Sequence, residues 1–211
     1  MNHEPSGDIL RDVASYYTEK LEQHGETPRG VDWNGEESQQ RRFAQLLKII
    51  DTPAPKSLND LGCGYGALFD VVKPLFPEMQ YIGYDVSAAM VEAARRRYAA
   101  DQHASFVVAS EPAPAEYGVA SGILNVRMGY ADSAWHDFFV ATLDTLDRSS
   151  TRGFAFNCLT SYSDADKQRE YLYYANPLEW FDFCKRRYSR NVALLHDYGL
   201  YEFTLLVRKD V

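Results

Sequence analysis

The sequence is poor in thiols, in positive charge and in long apolar runs, and each shortage excludes a class of protein. Only three cysteines occur among 211 residues, at 63, 158 and 184. An odd count at wide spacing gives no disulfide framework, and without a C-x-x-C pair there is no thiolate zinc site. No uninterrupted apolar run approaches the roughly 20 residues that a membrane-spanning helix needs. The N-terminus has no basic start leading into an apolar stretch, so no secretory signal is expected. Lys and Arg total 22 against 30 Asp and Glu, a net charge of −8. That balance repels a phosphate backbone and argues against nucleic acid as a partner. Internal repeats and low-complexity segments are absent. The reading is a cytoplasmic protein with no membrane partner; its oligomeric state is not legible.

What is present is an ordinary globular mixture, 45% hydrophobic and 25% charged, with aromatics at 14% and 15 tyrosines. Residues 1–52 read as an N-terminal helical cap. Ile9, Leu10, Val13, Tyr17 and Leu21 recur at helical spacing up to Gly25. Asn34 stands three residues before Glu37, a capping-box-like start for a second helix that carries Phe43, Leu46, Leu47 and Ile50. From residue 53 to 211 the rhythm becomes that of alternating strands and helices. Strands are expected at 57–61, 80–84, 105–109, 117–124 and 153–159, with helices at 67–76, 87–100 and 133–146. Such alternation predicts a parallel sheet with helices on both faces. Two further strands, 191–198 and 201–208, are separated only by Gly199 and Leu200, which permits a hairpin and not a parallel crossover. An aromatic-rich insertion fills the interval near 160–190.

The informative segment is Asp60-Leu61-Gly62-Cys63-Gly64-Tyr65-Gly66, which follows a strand and opens a helix. Glycine lets the backbone turn sharply and approach a ligand, and the helix N-terminus offers unpaired N–H groups. Asp85, at the end of the next strand, suits a carboxylate that accepts both hydroxyls of a ribose. Gly62, Gly64 and Ala67 also satisfy the dinucleotide pattern G-x-G-x-x-G/A, so a nicotinamide-dependent oxidoreductase stands as an alternative. The acid at Asp60 would repel a pyrophosphate and suits a ligand with a positive group instead.

The segment 60–66 resembles motif I of the class I S-adenosylmethionine-dependent methyltransferases, and Tyr81-Ile82-Gly83-Tyr84-Asp85-Val86-Ser87 resembles their second strand with its ribose-binding acid. The resemblance implies a Rossmann-like seven-stranded α/β sheet, mostly parallel with an antiparallel last strand, and S-adenosyl-L-methionine as cofactor. It implies Asp60, Gly62, Cys63, Gly64 and Gly66 around the amino-acid part of that cofactor, Asp85 on the ribose and Val86 beside the adenine. Many members carry an Asp after the third strand; here Ser110 or Glu111 stands in its place. Ser121 is expected at the methionine end. A binding module without catalysis is a further alternative.

A small-molecule acceptor, methylated at oxygen or nitrogen, is expected beyond the fourth strand. No Asn/Asp-Pro-Pro-Tyr sequence of amino-methylating DNA enzymes occurs there. Asn125, with Tyr16, Tyr17 and Trp33 from the cap and Tyr171, Tyr173, Tyr174 and Trp180 from the insertion, forms the candidate acceptor site. The polar stretch 161–170 ahead of those tyrosines reads as a hinge for a lid. His196, near the end of the sixth strand, is the candidate general base. Asp144 and Asp147 share a helix without converging, so no metal is expected.

Overall fold

The computed structural model describes residues 5–33 and 35–210, with side chains from residue 7 onward. The elements run α1 Pro5–His24, α2 Glu36–Leu46, β1 Ser57–Leu61, α3 Ala67–Leu75, β2 Gln80–Asp85, α4 Ala88–Arg97, β3 Ala104–Val108, β4 Ala115–Ala120, α5 Asp132–Ser149, β5 Ser150–Leu159, α6 Pro177–Arg187, β6 Asn191–Leu195 and β7 Glu202–Arg208. Short 3-10 turns occupy Pro28–Val31, Leu47–Ile49 and Ala165–Lys167. Asn34 lies outside the described residues; Gly35 stands at the N-cap position of α2, with no side-chain cap.

One seven-stranded sheet has the order β3-β2-β1-β4-β5-β7-β6. β1 to β5 pair in parallel, and β7 lies antiparallel between β5 and β6. Both faces are covered, and strand alternation divides the core in two. Phe154, Phe156, Leu205 and Val207 face Trp135, Phe139 and Leu143 of α5, together with Ile9 and Val13 of α1. Ala155, Leu206, Tyr117 and Leu58 face Phe43 and Leu46 of α2, Phe69 and Val72 of α3, and Val91 of α4. The helices before β1 thus seal both halves of the same core.

The order in which strands are laid down reverses between the parallel neighbours β1 and β4, which opens a crevice at their carboxyl ends, the place where open α/β sheets bind ligands. Two element ends differ from expectation at this edge. β4 stops at Ala120 instead of running to 124, because Gly122 adopts φ +75 and its N–H leaves the ladder for Asn157 Oδ1 at 2.7 Å. The final hairpin turns over residues 196–201 and not over two residues alone.

Candidate active site

The chain leaves β1 through Gly62, whose φ of +76 is a left-handed conformation that L side chains adopt at a cost. A Cβ there would stand 2.1 Å from Ile123 Cγ2. The turn lets the amides of Gly62 and Cys63 donate to the Tyr84 carbonyl at 2.7 and 3.0 Å. Gly64 N–H then donates to Asp85 Oδ2 at 2.9 Å, and Ser87 N–H donates to Asp85 Oδ1 at 2.8 Å. The loop after β1 and the carboxylate ending β2 are therefore one hydrogen-bonded unit. Ser87 also caps α4, accepting from Met90 N–H at 3.3 Å.

This unit floors a cavity of about 190 Å³. Asp60, Gly62, Cys63, Gly64, Asp85, Val86, Ser110, Glu111 and Ser121 all line it, drawn from the carboxyl ends of β1, β2, β3 and β4. Gly66 does not line it. With φ +83 it starts α3 under the rings of Tyr98 and Phe106, so the helix–sheet packing explains that glycine. Gly64 has a similar second reason: a Cβ would stand 2.9 Å from Val31 Cγ1.

The electrostatics of the cavity favour a cation. Burial pushes the Asp60 carboxyl up to about 7, opposed by the hydroxyl of Tyr81 donating to Oδ2 and reinforced by the charge of Asp85. Asp60 Oδ1 is buried without a partner, and so is Ser121 Oγ. Burial also raises the Asp85 carboxyl, against the N–H groups of Ser87 and Gly64. A buried acid with a spare lone pair fits an ammonium, and the acceptor-only carboxylate of Asp85 fits a diol. The residues present therefore suit S-adenosylmethionine. Burial drives the Cys63 thiol well above its ordinary range, so no thiolate nucleophile stands here.

Part of this wall escaped the sequence reading. Phe138, Ala141, Thr142 and Thr145 of α5 close the cavity from above, with Leu10 and Val13 of α1. The α5 residues recur at i, i+3, i+4 and i+7, so one helical face carried the signal.

A second cavity of about 550 Å³ opens beside the first. Tyr17, Val31 and Trp33 line both. Its other walls come from the loop after β4, with Gly122 and Asn125, from the insertion, with Tyr171 and Tyr174, and from the β6–β7 turn. Asn125 Oδ1 accepts from Leu159 N–H at 2.9 Å, which ties the β4 loop to the end of β5. Arg42 and Glu202 form a buried ion pair on this wall at 2.6 Å, and the guanidinium carbon lies 3.9 Å from the centre of the Trp33 ring. Neither residue was foreseen.

Several expected acceptor residues lie elsewhere. Tyr173 packs on Trp135 and Phe139, at 6.5 and 6.1 Å between ring centres, and lines neither cavity. Trp180 stacks on Phe139 at 3.7 Å. Both are held by apolar burial, the commonest fate of an aromatic side chain. Tyr16 donates to Asp32 at 2.8 Å and touches Tyr17 edge-on. His196 lies between Tyr162 and Phe203 and lines neither cavity, because the strand ends before it and the turn carries the imidazole away. Among the described residues, no histidine lines either cavity, and no group of three His, Cys, Asp or Glu side chains could hold a metal ion. No described helix is long and apolar enough to cross a membrane.

Comparison with known proteins agrees with this geometry. The family described as "Methyltransferase domain" matches residues 59–119, from β1 into β4. "Putative methyltransferase Rv1506c" of Mycobacterium tuberculosis (strain ATCC 25618 / H37Rv) is 55% identical over 77% of this chain and 99% of its own length. A "Trans-aconitate 2-methyltransferase" of Methylobacterium radiotolerans is 39% identical, over 32% of this chain and 28% of its own length. Among solved structures, the "DhpI-SAM-HEP complex" superposes with a TM-score of 0.66 at 12% identity, covering 99% of this chain and 100% of that one. The dinucleotide alternative for the glycine loop falls with these matches. The cofactor is S-adenosylmethionine, and the chain belongs to the class I S-adenosylmethionine-dependent methyltransferases.

Proposed function

We propose that the protein methylates a small molecule at oxygen or nitrogen, with the acceptor bound in the second cavity. The observation that carries this reading is the junction of the two cavities at Tyr17, Val31 and Trp33, which puts a second ligand next to the first. On this reading Asp60 takes the ammonium of the cofactor, Asp85 the ribose diol, Val86 and Ser110 the adenine, and Ser121 the methionine end. Gly62, Cys63 and Gly64 shape the loop around it. The cofactor supplies a methyl group already activated on a sulfonium.

The chain's own residues then have to bind, orient and exclude water. With no imidazole on either wall among the described residues, alignment of the two ligands supplies the rate, since positioning alone is worth up to roughly 7–11 kcal/mol. A net charge of −8 supports a small acceptor over nucleic acid. All three cysteines are free and buried, in keeping with a cytoplasmic protein. The trans-aconitate enzymes match over only about a third of this chain and do not name the acceptor.

Titration with S-adenosylhomocysteine by calorimetry, followed by mass spectrometry of a fractionated metabolite extract incubated with S-adenosylmethionine, tests the reading. A micromolar Kd, about −8 kcal/mol, and a small product heavier by one methylene are expected. Absence of cofactor binding, or methylation confined to macromolecules, would refute it.

A further inference from the structure

Among the described residues, eight buried side-chain nitrogen or oxygen atoms find no hydrogen-bond partner. Four of them belong to the cavity walls: Asp60 Oδ1 and Ser121 Oγ in the first, Arg42 Nη1 and Glu202 Oε1 in the second. An unsatisfied buried polar group costs about 1–3 kcal/mol, so such atoms mark where a ligand has something to give. The second pair has a specific character. Arg42 Nε donates to Glu202 Oε2 at 2.6 Å, and Asn157 Nδ2 donates to the same oxygen at 3.3 Å. The two side chains are only 6% and 1% exposed. The ion pair is neutral as a whole, yet one donor and one acceptor remain unused.

That combination selects among ligand classes. A carboxylate would satisfy Arg42 but bring its charge against Glu202. An ammonium would satisfy Glu202 and be repelled by Arg42. A hydrocarbon satisfies neither. A hydroxyl both donates and accepts, so adjacent hydroxyls of one molecule answer both atoms without adding charge. The basic residues at the rim do not reverse this choice. Lys167 is paired with Asp166 at 3.0 Å, and Arg169 Nη1 donates to the carbonyls of Asp166 and Gln168. The mouth also carries flat apolar faces. Tyr171 and Tyr201 are 41% and 43% exposed there, large amphipathic rings, with the Tyr201 hydroxyl donating to Asp164 Oδ2.

Resting on the methyltransferase reading above, we infer that the second cavity takes a polyhydroxylated acceptor, a sugar or glycoside. Its hydroxyls pair with Arg42 and Glu202, and its ring lies against the tyrosines of the mouth. The Arg42–Glu202 pair is then a specificity device as well as a tie between α2 and β7.

The test uses the full chain loaded with S-adenosylhomocysteine. Methyl glycosides of hexoses and pentoses are titrated by calorimetry, beside trans-aconitate as a carboxylate and tyramine as an amine. At least one glycoside is expected to bind more than tenfold tighter than either control. Glu202→Gln and Tyr201→Ala should each weaken that glycoside about tenfold, the loss of one charged hydrogen bond or one ring contact, with S-adenosylhomocysteine affinity retained. Tyr201 is exposed, so its variant stays folded even where the buried pair does not tolerate change. Tighter binding of trans-aconitate or tyramine, no glycoside binding to cofactor-competent protein, or unaltered glycoside affinity in Tyr201→Ala would overturn the inference and leave the methyltransferase reading standing. Failure to bind S-adenosylhomocysteine would instead strike that reading itself.

Discussion

The two cavities are built in different ways. The first is floored by loops that follow four adjacent parallel strands, and its two buried carboxylates, Asp60 and Asp85, lie in two short segments, 60–66 and 85–87. The second draws on residues as far apart as Tyr17 and Glu202, from the cap, the β4 loop, the insertion and the last turn. A cavity made by local turns is written in consecutive residues. A cavity made where distant segments meet is written in none of them. On the proposed function, the first would serve a ligand common to a whole family and the second the acceptor particular to this chain.

The sharpest way to break the contrast is Gly62→Val. Left-handed φ in a β-branched residue and a Cβ 2.1 Å from Ile123 together should cost about 3 kcal/mol of stability. S-adenosylhomocysteine binding should fall by more than about a hundredfold, since the loop would no longer close on Asp85. Denaturant titration and calorimetry check both. Normal binding would mean the loop does not contact the cofactor.

Asp85→Ala comes next. It removes a charged acceptor and releases the N–H groups of Gly64 and Ser87, so affinity should drop by about 1.5–3 kcal/mol. An unchanged calorimetric Kd would take Asp85 out of the site.

The tyrosines of the insertion sharpen the comparison from the other side. Tyr173→Ala should cost about 2 kcal/mol of stability, because the ring fills space against Trp135 and Phe139. Tyr174→Ala should cost under about 0.5 kcal/mol while raising KM for the acceptor. Equal effects on melting temperature in the two variants would show that neighbouring positions do not divide between core and cavity.

The first cavity also carries a pH dependence. The Asp60 carboxyl is raised to about 7 in the folded protein from an ordinary value of 3.8. The folded state therefore holds more protons than the unfolded state between those values, and stability falls as pH rises from about 4 to 7, by at most about 1.4 kcal/mol per pH unit. Affinity for the cofactor's ammonium moves the opposite way, climbing up to roughly tenfold per unit as Asp60 ionises and levelling above about 7. Asp60→Asn should flatten both curves. A flat profile in the unmutated protein would place the ammonium elsewhere.

Much of the first cavity was legible because glycines and acids at fixed spacing have backbone causes. Gly62 turns the chain, Asp85 stitches the turn, and Ser87 caps the helix behind it. Gly66 was misplaced because a positive φ looks the same whether a ligand or a Phe106 ring sits above it. Tyr173 and Tyr174 could not be told apart, since adjacent residues in an irregular segment point in directions that periodicity does not set. Arg42 reads in sequence as one more polar position on an exposed helix, and only Glu202, 160 residues later, makes it buried.

By itself, then, the sequence determined the alternating sheet, its reversed last strand, the glycine loop and the acid that ends the second strand. Each of these follows from local chemistry: side-chain periodicity, turn geometry and hydrogen bonds over a few residues. Tertiary structure alone decided that α5 roofs the first cavity, that His196 stands apart from both cavities, and that Arg42 meets Glu202 behind Trp33. Those outcomes depend on which distant surfaces touch when apolar area is buried, and burial is a non-directional force that carries no address in the chain.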